Sequence, residues 1–208
     1  MPLGRPKVPL LSHERIIEAA LHIVDAEGLD ALTTRRLAAE LGVKGASLYN
    51  HFKDKDEILA AVAEHALTRV PPRMLRGEVR PEQLLLWGVV GLRNALMAHP
   101  NLVPVLVQRR SVGNRYRDAV TARLVEGGVP AEDVLLLHEA LERWAIGNAV
   151  RETAPVRPGD DGADAEMRYP SLTAAKKRQR ATAHEIFETV AKGIIQSILE
   201  RDGSDARV

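Results

Sequence analysis

The chain has 208 residues, 45% of them hydrophobic, which is enough for one large packed domain or two modest ones. It contains no cysteine, which excludes disulfides, zinc–thiolate sites and thiol catalysis and fits a reducing compartment. The 29 basic and 28 acidic residues leave a net charge of +1, which argues neither for nor against a nucleic-acid partner. The first 15 residues hold no apolar run, and no stretch approaches the roughly 20 apolar residues of a membrane span. We therefore expect a soluble cytoplasmic protein.

The basic residues concentrate in one segment. Between Thr33 and Lys55 there are five basic residues (Arg35, Arg36, Lys44, Lys53 and Lys55) and two acidic ones (Glu40 and Asp54). A local positive excess of this kind is typical of a surface that faces phosphates, although a bland surface also produces it by chance. The spacing of the apolar residues has to decide between these interpretations.

The first two predicted helices have clear start and stop signals. Apolar residues recur at helical intervals from Ile16 to Val24, with Ser12 ahead as an N-cap and Gly28 behind as a stop. Thr33 can cap a second helix of about two turns, which ends where Gly42 permits the positive φ of a tight turn. A long helix followed by a short one is therefore predicted before residue 42.

Two more helices follow this turn. The third is short and directs Leu48 and Phe52 inward. Asp54 and Glu57 have the spacing of a capping box and begin a fourth helix that ends near Pro71-Pro72. Two short helices around a glycine turn, braced by longer ones, are typical of a helix-turn-helix.

A helix-turn-helix points to DNA, because one helix fits into a major groove about 12 Å wide while its neighbours hold it at a fixed angle. The helical frame predicts base contacts from Ser47, Asn50 and His51. It predicts phosphate contacts from Thr34, Arg35, Tyr49 and Lys55. Packing or capping remains the alternative role for Tyr49 and His51.

The segment Leu32–Val62, LTTRRLAAELGVKGASLYNHFKDKDEILAAV, resembles the DNA-binding domain of TetR-family regulators. In that family the residues that match Thr34, Arg35, Tyr49, His51, Phe52 and Lys55 belong to the DNA-facing surface. The resemblance also implicates Lys44, Gly45, Ala46, Ser47 and Asn50, whose counterparts vary among members and set the operator sequence. Gly4-Arg5-Pro6-Lys7 is either a basic arm that enters a minor groove or a disordered tail.

Beyond Pro72 the apolar pattern stays helical. Helices are predicted from Pro81 to His99, over a short run from Leu102 to Val107, from Tyr116 to Val125, from Pro130 to Glu152 and from Thr182 to Arg201. Residues 155–170, rich in Pro, Gly and Asp, are predicted to form a mobile loop. The predicted organisation is all-α: an N-terminal arm and helix-turn-helix over 1–53, a connecting helix over 54–72, and a ligand-binding and dimerisation domain over 73–208.

The last two long helices have wide apolar faces. Val134, Leu137, Leu141, Trp144 and Ala145 mark one face, and the other runs from Ile186 to Leu199. The family resemblance implies that these helices pair across a two-fold axis, and a symmetric homodimer suits a palindromic operator. Packing within one subunit is the alternative.

The central helices are expected to bind a small-molecule effector. Candidate lining residues combine apolar surface, small residues that open space and a few polar anchors: Trp87, Gly88, Gly91, Leu92, Ala95, Leu106, Arg109, Arg117, His138, Glu142 and Trp144. Core filling and surface ion pairing are alternative roles for these side chains. The region also resembles the tetracycline-repressor branch, in which a metal-ligating histidine shortly follows the equivalent of His99. Leu102–Val107 contains no histidine, so we do not expect a magnesium-chelated tetracycline, and the effector is expected to be a partly hydrophobic small molecule. No metal or cofactor is expected.

Two other functional classes compete. His138, Glu139 and Glu142 share a helix, which hints at a metal enzyme, but the pattern lacks the second histidine of H-E-x-x-H. The chain also lacks a glycine-rich phosphate loop and a G-x-S-x-G motif, so no catalysis is expected. The basic run at 176–180 would suit a protein partner or DNA, and equally a solvated helix start.

Overall fold

The computed structural model describes residues 11–67, 79–109, 112–155 and 169–200. Within these residues the chain forms helices and turns without a β-strand, which confirms the predicted all-α class. The helices, numbered here α1 to α10, are His13–Glu27, Thr34–Leu41, Gly45–Leu48, Lys55–Leu67, Pro81–Ala98, Val103–Gln108, Asn114–Glu126, Ala131–Thr153, Pro170–Arg178 and Ala183–Leu199. Short 3-10 turns cover Leu29–Ala31 and Pro100–Leu102. None of the described helices is long and apolar enough to cross a bilayer.

The predicted helix boundaries in the N-terminal region are confirmed by their caps. Ser12 Oγ accepts the Arg15 N–H at 3.2 Å at the start of α1, and Thr33 Oγ1 accepts the Arg36 N–H at 3.1 Å at the start of α2. Gly28 and Gly42 end these helices with φ of +88° and +66°, a conformation that side-chain-bearing residues rarely adopt. Local sequence therefore sets the lengths of α1 and α2.

The start of α4 also follows its sequence signal. Asp54 Oδ1 accepts the Glu57 N–H at 2.8 Å, and the Glu57 carboxylate accepts the Lys53 N–H. The predicted end of this helix at Pro71-Pro72 lies outside the described residues. The N-terminal arm and most of the predicted 155–170 loop lie outside them as well.

One helix was missed by the sequence analysis. Helix α9 begins at Pro170, and Lys176, Lys177 and Arg178 form its last turn. The basic run therefore ends a helix instead of starting one, a placement that favours cations because the carbonyl end of a helix carries partial negative charge. The final helix, α10, begins after Thr182, whose side chain and that of Glu185 form a reciprocal capping box.

Two hydrophobic cores organise the molecule. The first joins the buried faces of α1 to α4 to Leu96, Leu102, Val105, Leu106 and Val112, so that the segment around α6 packs on the N-terminal helices. The second core is built from α5, α7, α8 and α10 around the fully buried Phe187. The two cores meet along α5, which contributes to both.

On α8, the apolar residues that were expected to pair between subunits pack within one subunit. Val134, Leu137, Leu141 and Ala145 of α8 are buried in the second core, against Phe187 of α10. This corrects the expectation in favour of the intramolecular alternative for these residues, because α5 supplies the surface that covers them. Other apolar side chains stay exposed on the same two helices, namely Leu135, Leu136, Val150, Ile186 and Val190.

Candidate DNA interface and effector cavity

Helices α2 and α3 form a compact pair at the surface. Leu37 and Leu48 are buried between these helices and the first core. On the outer side, Thr34 Oγ1 lies 3.4 Å from Tyr49 Oη, a contact between the start of α2 and the end of α3. Helix α3 continues as a helical turn, since the N–H groups of His51 and Phe52 both donate to the Leu48 carbonyl.

Most of the predicted DNA-contacting residues lie at the surface of this pair. Arg35, Lys44, Ala46, Tyr49 and Asn50 are exposed, and Thr34, Gly45, Ser47, His51 and Lys55 are half-buried. Phe52, which the resemblance placed on the DNA-facing surface, is buried in the first core with 5% exposure. The inward role predicted for Phe52 from its helical spacing is therefore the correct one.

The arginines at positions 35 and 36 have different environments. Arg36 pairs with Glu27 at 2.8 Å and with Glu40 at 2.7 Å, and its hydrogen bond holds the pKa of Glu40 below the ordinary value. Arg35, like Lys44 and Lys55, makes no ion pair within the described residues. Arg36 is thus neutralised by ion pairs within the chain, whereas Arg35, Lys44 and Lys55 remain available to bind an external anion.

His13 is a contributor to this region that sequence reasoning missed. Its Nε2 donates to the His51 carbonyl at 2.8 Å, and its ring meets the rings of His51 and Phe52 edge-on. It connects the start of α1 to the end of the helix-turn-helix. No sequence pattern signalled this role, because 38 residues separate the two histidines.

A cavity of about 90 Å³, partly open to solvent, lies between α4, α5, α7 and α8. It occupies the seam between the two cores, since Leu67, Leu106 and Val112 belong to the first core and Leu85 and Leu141 to the second. Of the predicted effector residues, the structure places Gly88, Leu92, Leu106, Arg117, His138 and Glu142 in its wall. Leu67, Leu85, Val89, Val112, Gly113, Tyr116 and Leu141 line it without having been predicted.

The other predicted effector residues lie away from this cavity. Trp87 is 40% exposed, and Gly91 is exposed with open space around it. Ala95 packs on the first core. Arg109 pairs with Asp56 of α4 at 3.0 Å, and the indole N–H of Trp144 donates to the Phe187 carbonyl at 3.2 Å. Trp87, Gly91, Ala95 and Trp144 share a helix with lining residues but are not part of the cavity wall, and Arg109 follows the end of α6.

Gly88 shapes one wall of the cavity because it allows Tyr116 to approach. A Cβ at position 88 would lie 2.2 Å from Tyr116 Oη, which is closer than two non-bonded atoms can approach. The Tyr116 hydroxyl donates to the Leu84 carbonyl at 2.6 Å, and burial raises its pKa. The phenol is therefore a neutral, anchored part of the wall.

The rim of the cavity carries paired polar groups. Arg117 Nη1 lies 2.7 Å from Glu142 Oε2, and Arg117 also donates to Asn114 Oδ1 at 3.0 Å. His138 Nε2 lies 3.0 Å from Thr121 Oγ1, and burial together with the nearby Arg117 cation lowers its pKa to about 4. His138 is therefore neutral at physiological pH. Beyond this rim lies a wider open groove of about 870 Å³ that shares Leu106, Arg117, His138 and Glu142 with the cavity.

The hint of a metal site on α8 is not supported by the geometry. His138 binds Thr121, Glu139 pairs with Arg143, and Glu142 pairs with Arg117. No group of three potential metal ligands comes together within the part of the chain that the structure describes.

Residues that flank α6 connect the cavity region to the N-terminal helices, of which α4 also contributes Leu67 to the cavity wall. The Gly113 N–H donates to Glu64 Oε2 of α4 at 2.7 Å, and Gly113 itself lines the cavity. His99 Nδ1 lies 2.9 Å from Asp25 Oδ2, and Asn101 donates to the Val24 carbonyl at 2.8 Å. The wall of the cavity is thus tied directly to α1 and α4.

The N-terminal region matches a family model described as "Bacterial regulatory proteins, tetR family" over residues 16–62. Over nearly the whole chain the sequence is similar to the tetracycline repressor protein class C of Escherichia coli. The two are 29% identical over 195 residues, which cover 92% of this chain and 86% of that protein.

Solved structures share the fold over nearly the full length. The transcriptional regulator SCO7222, a TetR from Streptomyces coelicolor, superposes with a TM-score of 0.73 at 25% identity and covers 91% of this chain and 98% of its own. The Streptomyces coelicolor TetR family protein ActR, solved in complex with actinorhodin, gives a TM-score of 0.73 at 26% identity. That match covers 95% of this chain and all of ActR.

Proposed function

We propose that this chain, a transcriptional regulator that belongs to the tetR family of bacterial regulatory proteins, represses transcription by binding a palindromic operator as a homodimer and releases it when a small molecule binds. The observation that carries this proposal is the seam cavity, whose lining residue Gly113 donates its N–H to Glu64 of α4, one of the helices that hold the helix-turn-helix. The same chain thus combines an exposed polar recognition surface with a pocket connected to it.

The DNA-binding half of the proposal assigns roles to the surface of α2, α3 and the start of α4. Ser47, Asn50 and His51 read base edges, Lys44 adds a further donor, and Gly45 and Ala46 allow close approach to the bases. Thr34, Arg35, Tyr49 and Lys55 contact phosphates and set the register. The exposure of Arg35, Lys44 and Asn50 and the Thr34–Tyr49 contact support these assignments.

The homodimer is proposed to form through the outer faces of α8 and α10. Val150, Ile186 and Val190 are apolar and exposed there, with exposures of 47%, 41% and 37%. Gly147 and Gly193 lie on the same helices with open space around them, which lets two helices approach closely. Two copies would double the phosphate and base contacts of one short recognition helix and match the two-fold symmetry of a palindrome.

Effector release is proposed to act through the packing of one core on the other. A molecule in the seam cavity would contact side chains of both cores, because residues of both cores line it. Gly113 would move with the wall and carry Glu64 and α4 with it, which changes the spacing of the two recognition helices. The structure of ActR with actinorhodin supports a small molecule as the effector, since it shows a related protein with such a compound bound.

Footprinting of the DNA upstream of the chain's own gene tests this proposal. We expect protection of one inverted repeat, whose half-sites lie about one or two helical turns apart. Compounds that raise the melting temperature of the protein are then added to the complex, and they should lower its affinity for the repeat. An absence of protected sequence contradicts the DNA-binding half. Ligands that bind the cavity but leave operator affinity unchanged contradict the coupling.

A further inference from the structure

The interior of the seam cavity is apolar. Leucine and valine side chains from α4, α5, α6 and α8 surround it, including Leu85, Val89, Leu92 and Leu141. An enclosed apolar cavity of about 150 Å³ accepts benzene. At about 90 Å³, the seam cavity suits one small apolar group, up to a single ring once the side chains relax. The remainder of a larger ligand would lie in the adjoining groove.

The two charged residues at the rim, Arg117 and Glu142, neutralise each other. The side chains of Arg117 and Glu142 form a close ion pair and are each about a quarter exposed, with values of 24% and 23%. The Arg117 guanidinium has additional acceptors in Asn114 Oδ1 and the Val112 carbonyl. His138 is buried, neutral and bonded to Thr121. Every charge at the rim therefore already has a partner of opposite sign.

A charged ligand group would have to break this pair. A carboxylate that approaches Arg117 meets the negative charge of Glu142, and an ammonium that approaches Glu142 meets the positive charge of Arg117. Separating a partly buried ion pair leaves one charge without its partner, which is costly where water is scarce. An uncharged group can pass the pair or bond to its outer atoms without separating it.

We infer that the Arg117–Glu142 pair is a charge-selective gate and that the effector presents an uncharged apolar group to the cavity. This inference rests on the proposed function in taking the cavity as the effector site, and it adds the class of ligand. If this ion pair determines specificity, replacing either Arg117 or Glu142 with a neutral residue of similar size should change which ligands bind.

Three probes of similar size distinguish the charges: benzyl alcohol, benzoate and benzylamine. Binding to the full-length protein is followed without DNA by NMR of methyl-labelled leucine and valine, which reports on the cavity wall. In the wild-type protein we expect benzyl alcohol to perturb the methyl signals of the lining residues. Benzoate and benzylamine should bind weaker by on the order of tenfold or more.

Two isosteric variants test the gate from both sides. In Glu142→Gln the Arg117 charge loses its carboxylate partner, so benzoate should gain on the order of tenfold in affinity relative to benzyl alcohol. In Arg117→Gln the freed Glu142 carboxylate should favour benzylamine in the same way. Glu188→Gln is the matched control, because it removes the ion pair with Lys192 on α10, a helix that contributes no lining residue to the cavity or the groove, and should leave the order of the probes unchanged.

Several results would overturn the inference. These are failure of all three probes to perturb the cavity methyls, equal binding of benzoate and benzyl alcohol to the wild-type protein, or an unchanged order in both gate variants. If one variant does not fold, as judged by its melting curve, the wild-type order and the other variant still decide. Because no DNA is present, a failed gate is distinguishable from failed operator release.

Discussion

The helix-turn-helix and the seam cavity differ in how tightly their residues are packed. In the helix-turn-helix the buried residues Leu37, Leu48 and Phe52 form a filled core, and the residues assigned to DNA stand on its surface. The seam cavity is instead a gap in the packing, bounded by side chains from both cores. The proposed DNA surface therefore depends on residues that a filled core holds in place, whereas the proposed effector site depends on space that the packing leaves open.

The largest expected effect is a pH-dependent loss of stability centred on the cavity rim. The pKa of His138 falls from 6.5 to about 4 in the folded protein, so the unfolded chain binds the proton more tightly. The stabilisation by neutral His138 is fully present above pH 6.5 and is lost as the pH falls towards 4. The difference in free energy of unfolding between the wild type and His138→Gln should shrink over this window by roughly 3 kcal/mol. Urea titrations at a series of pH values measure it, and a constant difference would contradict it.

A matched pair of glycine substitutions on α5 tests the tight packing of the cavity wall. Gly88→Ala places a Cβ 2.2 Å from Tyr116 Oη and must break the bond from that hydroxyl to Leu84. We expect it to lower the free energy of unfolding by about 1–3 kcal/mol. Gly91→Ala meets open space on the same helix and should raise it by up to about 1 kcal/mol. Equal effects of the two substitutions in chemical denaturation would show that the wall is not packed as described.

Base readout is tested by Asn50→Ala. Loss of a side chain that reads a base edge should cost roughly 1–3 kcal/mol on the operator and little on random DNA. Fluorescence anisotropy with both DNAs measures the two affinities. Equal losses on the two DNAs would remove Asn50 from base readout.

The smallest expected effects concern phosphate contacts. Lys55→Ala and Tyr49→Ala should weaken binding to operator and random DNA alike. Lys55→Ala should also reduce the slope of log affinity against log salt concentration by about one. Arg36→Ala serves as the contrast, because Arg36 is already paired with Glu27 and Glu40 and should leave that slope unchanged. Salt titrations decide, and an unchanged slope for Lys55→Ala would exclude its phosphate contact.

The difference between the two regions also explains what the sequence could predict. Ser12, Gly28, Thr33 and Gly42 determine helix ends through bonds and dihedrals within a few residues, so their roles can be read along the chain. Helical periodicity likewise identified Phe52 as buried. The helix-turn-helix region can therefore be predicted largely from local sequence patterns.

The cavity depends on contacts that no local pattern encodes. The gate joins Arg117 to Glu142 across 25 residues, and Glu64 reaches Gly113 across 49. The fit of Tyr116 against Gly88 requires knowledge of how α5 and α7 pack. Residue types could indicate which helices line the cavity. Predicting that Gly88 lines it and Gly91 does not requires knowing which face of α5 is turned towards the cavity. The dimer contacts predicted for the buried residues of α8 were wrong for the same reason. Helical periodicity identifies an apolar face, but it does not identify the element that covers this face.

We propose that the chain recognises a specific DNA sequence through the surface of α3 and the residues that follow it. Selection of binding sites from a random DNA pool by the full-length protein tests this claim most directly, with Asn50→Ala selected in parallel. We predict that the wild type enriches one inverted repeat and that Asn50→Ala relaxes the preference at one symmetric pair of positions. Enrichment of no sequence by the wild type, or of the same repeat with equal strength by both proteins, would contradict it.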